Sequence, residues 1–475
     1  MKFTRYKTRN RPDFLFPAIN IDANATRRKL RKMSHFYDAL IAGAGPAGCA
    51  AAYDLAHAGR RVLLLDKRTF PRPKACACGL TRKTLKTLRY SVDPVVERVC
   101  HEIILQIGKE PGAPPLADKS REIRVKTRNP ICAMAVRERF DNFCLQQTLT
   151  SSRKGGSVLL QKIDFILALR ELPTHIELDV SITEAGQQRT ETLTAPVLIG
   201  ADGSNGQTRR LASNLDNNGE ALSPSAQDDP EWYARGFALE AMVPYTALPA
   251  KLPAGDAPHD LVFDFSPIVG GYGWLFPKGD HINIGVGGFV PRTDNTTNND
   301  RPHEKVTRTL LSQYTHQKLG IDLATINASV TGQYLGLGGH AYVPRGRVLL
   351  AGDAAGLVDP LTGEGIHSAL ISGQAAAAAI LETLKPTANP GAPGPDSRTR
   401  ASTEAQAFAA AYTHHLRELQ ETLAFSHRAA RSFYATPERG FKVMRTPILR
   451  NLVLKTYADG LPHTKLLTRL AKAVT

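Results

Sequence analysis

The chain lacks any run of about 18 uncharged apolar residues, the length a membrane-spanning helix requires, which excludes an integral helical membrane protein. Its first residues also lack the apolar stretch expected of a secretory signal. Phe14-Leu15-Phe16 stops at Pro17, well short of the roughly 7–15-residue apolar core of such a signal. Cysteine is scarce, with six in 475 residues: Cys49, Cys76, Cys78, Cys100, Cys132 and Cys144. They form neither two Cys-x-x-Cys pairs nor a Cys/His zinc array, and they are too sparse for a disulfide framework. A reducing, cytoplasmic compartment is therefore expected. No residue pattern suggests a metal cage or a hydrolytic triad. With 42% hydrophobic and 22% charged residues, the composition excludes a largely disordered or collagen-like chain.

What the chain has in excess is positive charge, and it is unevenly placed. The formal net charge is +16, of which residues 1–33 carry +8 and residues 411–475 carry +7. The body between them is nearly balanced. Two basic ends on a neutral body suggest attachment to an anionic surface more than a nucleic-acid groove. Lys465, Arg469 and Lys472 recur at helical spacing, with Leu466, Leu470 and Val474 on a neighbouring face. That pattern suits an amphipathic helix lying on an anionic membrane or packing on the parent protein. The Arg-rich, acid-poor start is compatible with a transit peptide, a disordered extension, or translation from Met33.

The first packed element is an apolar strand, Phe36 to Ala42, followed by Gly43-Ala44-Gly45-Pro46-Ala47-Gly48 and an Ala-rich helix from Cys49 to Ala58. Val62-Leu63-Leu64-Leu65 is a second strand, closing on Asp66, 23 residues after Gly43. Strand, glycine turn, helix, strand and acid make the βαβ dinucleotide fingerprint. Gly43 permits a tight turn, Gly45 admits a pyrophosphate, and Gly48 lets helix approach strand. A late strand, Arg347–Ala351, leads into Gly352-Asp353 and another Ala-rich helix near 364–384. There is no second nucleotide fingerprint, since Gly336–Ala341 is followed by Tyr342-Val343-Pro344 and not by a helix. One dinucleotide and a late Gly-Asp turn point to FAD and not NAD.

Four motifs in this order resemble those of the geranylgeranyl reductase family, FAD-dependent oxidoreductases of the para-hydroxybenzoate hydroxylase type. They are Gly43–Gly48 with Asp66, Ala201-Asp202-Gly203, Tyr272-Gly273-Trp274-Leu275-Phe276-Pro277, and Gly352–Ile366, which contains Leu361-Thr362-Gly363-Glu364-Gly365-Ile366. Lys74, Cys76, Gly79 and Leu80 agree with the family's Lys-Pro-Cys-Gly-Gly-Gly-Leu segment, whereas Ala75, Ala77 and Cys78 depart from it. Arg137, Phe140 and Asp141 resemble its Arg-x-x-Phe-Asp helix start. The resemblance covers about residues 36–385.

The fold it implies is α/β: a Rossmann-like FAD-binding domain interleaved with a β-sheet-based substrate domain, plus a C-terminal helical region. The expected divisions are a basic, disordered extension at 1–33; a discontinuous FAD-binding domain at 34–91, 131–215 and 331–385; and a substrate domain at 92–130 and 216–330. A Pro/Gly-rich linker at 386–402 and a basic helical region at 403–475 complete the chain. The implied FAD contacts are Gly43, Gly45, Pro46, Ala47, Gly48, Asp66, Lys67, Lys74, Cys76, Gly79, Arg137, Asp202, Gly352, Asp353, Gly363, Glu364, Gly365 and Ile366. Tyr272, Trp274, Phe276 and Pro277 would line the substrate cavity, with Cys76, Tyr272, Trp274 and Glu364 nearest the chemistry. Read without the family, Tyr272 and Trp274 at i and i+2 of a strand are a core pair, His367 is a packing residue, and Cys76 is equally a small buried cysteine.

The activity implied is reduction of carbon–carbon double bonds in a prenyl chain on a lipid, quinone or pigment precursor. NAD(P)H or ferredoxin would be the electron donor and an apolar isoprenoid the substrate. An aromatic monooxygenase or hydroxylase is the alternative, and a nucleic-acid-binding flavoprotein a distant third. A halogenase would carry a Trp-x-Trp-x-Ile-Pro stretch where this chain has Tyr272–Pro277.

Overall fold

The computed structural model describes residues 37–108, 121–151, 155–215, 219–222, 229–253, 257–290, 305–384 and 397–460. The extension 1–33 and the basic face around Lys465, Arg469 and Lys472 lie outside them.

The apolar runs of the sequence become a parallel five-stranded sheet. Its order is Val348–Leu350, Leu198–Gly200, Ala39–Ala42, Arg61–Asp66 and Ser157–Lys162. Parallel sheets are covered on both faces, which is why Val62 to Leu65 can be four apolar residues in a row, all fully buried. Each such side chain contributes about 1.5–3 kcal/mol. The first strand starts at Ala39, just after Asp38, whose carboxylate turns aside to accept from the Arg61 backbone N–H at 2.7 Å; Phe36 lies outside the described residues.

Among the described residues the α-helices are α1 (Pro46–His57), α2 (Arg82–Thr87), α3 (Arg137–Leu149), α4 (Thr208–Ser213), α5 (Arg308–Leu319), α6 (Ile366–Thr383), α7 (Ser397–Ala435), α8 (Pro437–Met444) and α9 (Pro447–Asp459). Helices α1 and α6 pack together through small residues, with Gly373 of α6 so close to Ala47 of α1 that a Cβ on it would lie 2.2 Å from the Ala47 carbonyl oxygen.

A second, seven-stranded sheet has the order Val330–Leu337, Ala234–Pro244, His281–Val290, Gly271–Pro277, Leu261–Asp264, Glu102–Gln106 and Glu122–Lys126. One of its faces packs on α5 through Leu311, Tyr314 and Leu319. Its other face carries Phe263, Trp274 and Phe276 toward the C-terminal helices. Val330–Leu337 crosses the division expected at residue 331, because its hydrogen-bond ladder runs along Ala234–Ala241 in this sheet. A small sheet of Gly79–Thr81, Cys132–Ala135 and Val96–Cys100 joins the two larger ones.

The C-terminal region differs most from expectation. Helix α7 begins at Ser397, inside the stretch read as a linker up to 402. Phe408, Tyr412, Leu416, Leu419 and Leu423 recur every three or four residues and are all buried, a stripe that seats α7 on the main core. The Tyr412 hydroxyl donates to the Leu350 carbonyl at 2.7 Å, tying α7 to the end of the parallel sheet. Pro437 and Pro447 then start α8 and α9, at the helix position where a missing N–H does no harm. Phe441, Leu454 and Ala458 turn these helices over the open face of the second sheet.

Candidate active site

The glycine turn has the geometry its sequence anticipates. Gly43 sits at φ +104°, and a Cβ there would lie 2.2 Å from the Ala201 carbonyl oxygen. A Cβ on Gly48 would lie 1.8 Å from the Gly43 carbonyl oxygen, so α1 packs against the strand as only glycine permits. At Gly45, by contrast, a Cβ would meet only the end of the Arg72 side chain, 3.7 Å away. The turn is therefore open on the side of the α1 N-terminus. Asp66 braces it, accepting from the Ala44 N–H at 2.8 Å and from the Arg68 N–H at 2.8 Å. Lys67 points to solvent.

Beside this opening lies a buried set of charges. Arg137 in the first turn of α3 forks onto Asp141 at 2.9 and 2.8 Å, and Arg72 approaches the same carboxylate at 3.3 Å. Burial opposes ionisation of Asp141, but Arg137, Arg72 and Lys74 hold its carboxyl below the ordinary value. Lys74 is pushed below the usual lysine range, first by burial and then by Arg137. Three cations thus share two carboxylates, Asp141 and Asp353, at the positive end of α1. The Arg72 Nε is buried and has no hydrogen-bond partner. A net-positive buried cluster with an orphaned guanidinium nitrogen, next to a helix N-terminus cleared by Gly45, fits the diphosphate of FAD.

One cavity adjoins the cluster, and a second borders the first. The smaller, about 200 Å³, runs from Pro46, Lys74, Cys76, Cys78, Gly79 and Arg137 to Asp353 and Gly363–Ile366. Trp274, Phe276 and Glu240 form its third wall. The larger, about 880 Å³, is mostly apolar and lies between the second sheet and helices α6–α9. Phe263, Tyr272, Asp359, Thr362 and Tyr457 line both, and so form the partition between them. The Tyr272 hydroxyl donates to the Thr362 carbonyl at 2.6 Å, fixing the ring in that partition.

The anticipated residues fall into three groups. Pro46, Lys74, Cys76, Gly79, Arg137, Asp353, Gly363, Glu364, Gly365 and Ile366 converge on the small cavity, with Tyr272, Trp274 and Phe276 opposite. Gly43, Gly45, Ala47, Gly48, Asp66 and Gly352 shape the turns behind it; the Gly352 N–H donates to Ser372 Oγ of α6 at 2.9 Å. Pro277 and Lys67 line neither cavity. Asp202 is engaged elsewhere, accepting from the backbone N–H groups of Gln207 at 2.6 Å and Thr208 at 3.0 Å, which hold the start of α4.

Glu364 accepts from the His367 N–H at 2.7 Å and pairs with Lys83 of α2 at 3.1 Å. Burial raises its carboxyl, but Lys83 and His367 outweigh this and hold it below the ordinary value. Burial drives His367 down to about 4, so its imidazole is neutral at pH 7. Cys78 stands at φ +46°, in the left-handed region, where the resembled segment has glycine; burial, and then Cys76, pushes its thiol upward.

Residues 41–74 match the family described as NAD(P)-binding Rossmann-like domain. Over 373 residues the chain is 29% identical to a menaquinone reductase of Mycobacterium tuberculosis, covering 72% of this chain and 75% of that protein. Over 350 residues it is 26% identical to a geranylgeranyl diphosphate reductase of Rhodobacter capsulatus, covering 74% and 76%. Its fold is similar to that of a geranylgeranyl bacteriochlorophyll reductase-like protein from Thermoplasma acidophilum, with a TM-score of 0.64 at 18% identity over 92% of this chain and 99% of that one. The chain is a geranylgeranyl reductase-like, FAD-dependent oxidoreductase.

Several residues of this oxidoreductase's cavities went unnoticed in the sequence. Glu240 is 3% exposed and sits in the wall of the small cavity; one acid inside the apolar strand Phe237–Val243 was the available signal. Phe433, Tyr434, Phe441 and Tyr457 close the cavities from the C-terminal helices. Nothing local in the sequence links those rings to a motif some 160 residues earlier.

Proposed function

We propose that the oxidoreductase saturates carbon–carbon double bonds of a prenyl chain carried by a lipid, quinone or pigment precursor. The observation that carries this reading is the 880 Å³ apolar cavity, which shares its partition with the small cavity beside the flavin-holding residues. A long uncharged chain fits such a space, and an aromatic hydroxylation substrate would not need it. Bound FAD, once reduced by NAD(P)H or a ferredoxin, supplies hydride. Arg72, Lys74, Arg137 and the α1 N-terminus would hold its diphosphate, and Cys76, Gly79 and Gly363–Ile366 its ring system. Phe263, Tyr272 and Tyr457 present broad apolar faces that orient an isoprene unit and keep water out.

Such a substrate resides in a membrane, and the oxidoreductase offers it a docking face. Val443 and Val453 line the large cavity and are also exposed, 48% and 40%; Ile448 between them is 59% exposed. Lys442, Arg445 and Lys455 stand exposed beside them, complementary to an anionic bilayer. Among the described residues no helix is long and apolar enough to cross a membrane.

The test is an anaerobic single turnover of the reduced holoenzyme with menaquinone, geranylgeranyl diphosphate and digeranylgeranyl lipids. Flavin oxidation with products heavier by steps of about 2 Da supports the reading. Substrate-dependent oxygen uptake with a hydroxylated product would overturn it.

A further inference from the structure

Saturating an isolated alkene takes a proton as well as a hydride, and the small cavity holds several groups with a proton to give. Most are already committed. The Tyr272 hydroxyl donates to Thr362 and the Tyr434 hydroxyl to Leu361. The Lys278 ammonium donates to the Ala77 and Ala135 carbonyls. The Glu364 carboxylate is paired with Lys83. Tyr457 borders both cavities, but burial makes its phenol a still weaker acid than usual.

Glu240 differs from all of these. Trp274 and Glu240 flank Gly285 on neighbouring strands, both registered to it. Trp274 lies over Gly285, whose Cβ, if present, would fall 2.1 Å from the indole. From there the indole N–H donates to Asn283 Oδ1 at 2.6 Å. An indole nitrogen can only donate, so Asn283 must present its NH₂ group to its remaining neighbours, Met242 Sδ at 3.3 Å and the Glu240 carboxyl. The other partner of Glu240 is the Cys76 backbone N–H, at 2.7 Å from Oε1. Both partners are donors. A protonated Glu240 therefore keeps its O–H free of these partners, in the wall of the cavity where the flavin-holding loop and Trp274 meet.

We propose that Glu240 is the general acid that protonates the alkene. This assignment rests on the prenyl-reductase reading. The Glu240 O–H bond breaks as its proton forms a C–H bond at the less substituted alkene carbon. The hydride and its electron pair, from the reduced flavin, close the second C–H bond at the more substituted carbon, where positive charge develops. The alkene is reduced, the flavin is oxidised, and the Glu240 carboxylate takes its next proton from solvent. Burial raises the Glu240 carboxyl above its ordinary value, the direction that favours the protonated form this step needs. After transfer, the Cys76 N–H, the Asn283 amide and the Lys278 charge stabilise the carboxylate left behind. Trp274 is then a positioning residue, acting through Asn283.

The test compares the wild-type holoenzyme with Glu240→Gln, Glu240→Asp and Cys76→Ala. Gln keeps an oxygen for the Cys76 N–H, so FAD content and dithionite reduction should match wild type. Prenyl-coupled flavin oxidation should slow about 10²–10⁴-fold, the span of general acid catalysis, and Glu240→Asp should recover part of it. The wild type in D₂O should show a solvent isotope effect that Glu240→Gln abolishes. Cys76→Ala should lose less than tenfold. A Glu240→Gln rate within threefold of wild type, or a Cys76→Ala loss larger than that of Glu240→Gln, would overturn the assignment. Infrared spectra of the resting holoenzyme at neutral pH separate this from failure of the prenyl reading. A protonated-carboxyl band that Glu240→Gln removes supports the acid whatever the substrate, and its absence from wild type overturns it. A wild type that reduces no prenyl compound while keeping that band would sink the substrate reading and, with it, the alkene step.

Discussion

The two sides of the active site are built in opposite ways. The dinucleotide turn comes from one contiguous stretch, Ala39 to Asp66, whose backbone shapes it. Its tight contacts are between main-chain atoms, such as the Gly48 α-carbon against the Gly43 carbonyl. The substrate side is assembled from strands near 240, 263, 274 and 283, the loop at 359–362, and helices α7–α9. Its contacts are between side chains, such as Tyr272 to Thr362 and Trp274 to Asn283. A backbone-built site tolerates almost no substitution at its glycines, whereas a side-chain-built site changes in smaller steps and can be reshaped for another substrate.

The first way to break this contrast is Gly48→Val. Its branched side chain has nowhere to go at 1.8 Å from a carbonyl, and a loss of at least about 4 kcal/mol with no retained FAD is expected in denaturant titration. A soluble, flavin-loaded Gly48→Val protein would contradict the backbone account.

The buried charge cluster joins the two sides and ranks next. Arg137→Met leaves Asp141 with Arg72 at 3.3 Å as its nearest remaining cation in the cluster. About 3 kcal/mol of stability should be lost, the lower end for a broken buried pair, together with most FAD affinity.

His367 gives a pH test on the substrate side. Its folded-state value, about 4, lies below the unfolded value near 6.5, so the unfolded chain binds its proton first as pH falls. Stability should be undiminished above pH 6.5 and fall by about 2 kcal/mol at pH 5 through this group. His367→Gln should flatten the difference in denaturation midpoint between pH 7 and pH 5; an unchanged slope would remove His367 as its cause.

Tyr272→Phe strips one hydroxyl from the partition and leaves the Thr362 carbonyl without its donor. About 1 kcal/mol should be lost with FAD binding unaltered, which calorimetry and flavin absorbance would check. The smallest effect is on docking. Ile448→Asp should weaken flotation with anionic liposomes several-fold without changing turnover of a detergent-dispersed substrate. Equal flotation would place the contact elsewhere on the chain.

The glycine turn, Asp66, the Arg137–Asp141 pair and the Gly352–Ile366 segment were legible because each is local: a few adjacent residues whose spacing suffices to describe the geometry. Asp202 was legible as a motif, yet its carboxylate holds the start of α4, a use that spacing alone does not distinguish from a ligand contact. Glu364 was expected near the chemistry because it lies in the segment that resembles the family's. Lys83, 281 residues earlier, settles it as the ionised half of a pair. The linker expectation ran too far because Pro and Gly end at Pro395, and α7 starts two residues later.

By itself the sequence determined the dinucleotide fold and the glycine geometry, since those depend on neighbours in the chain and on steric rules that hold locally. Only the tertiary structure decided which acid is buried in the cavity wall, how large that cavity is, and that α7–α9 roof it. Those properties depend on burial and on partners far away along the chain. Glu240 is one glutamate among many until Cys76, Asn283 and Trp274 surround it.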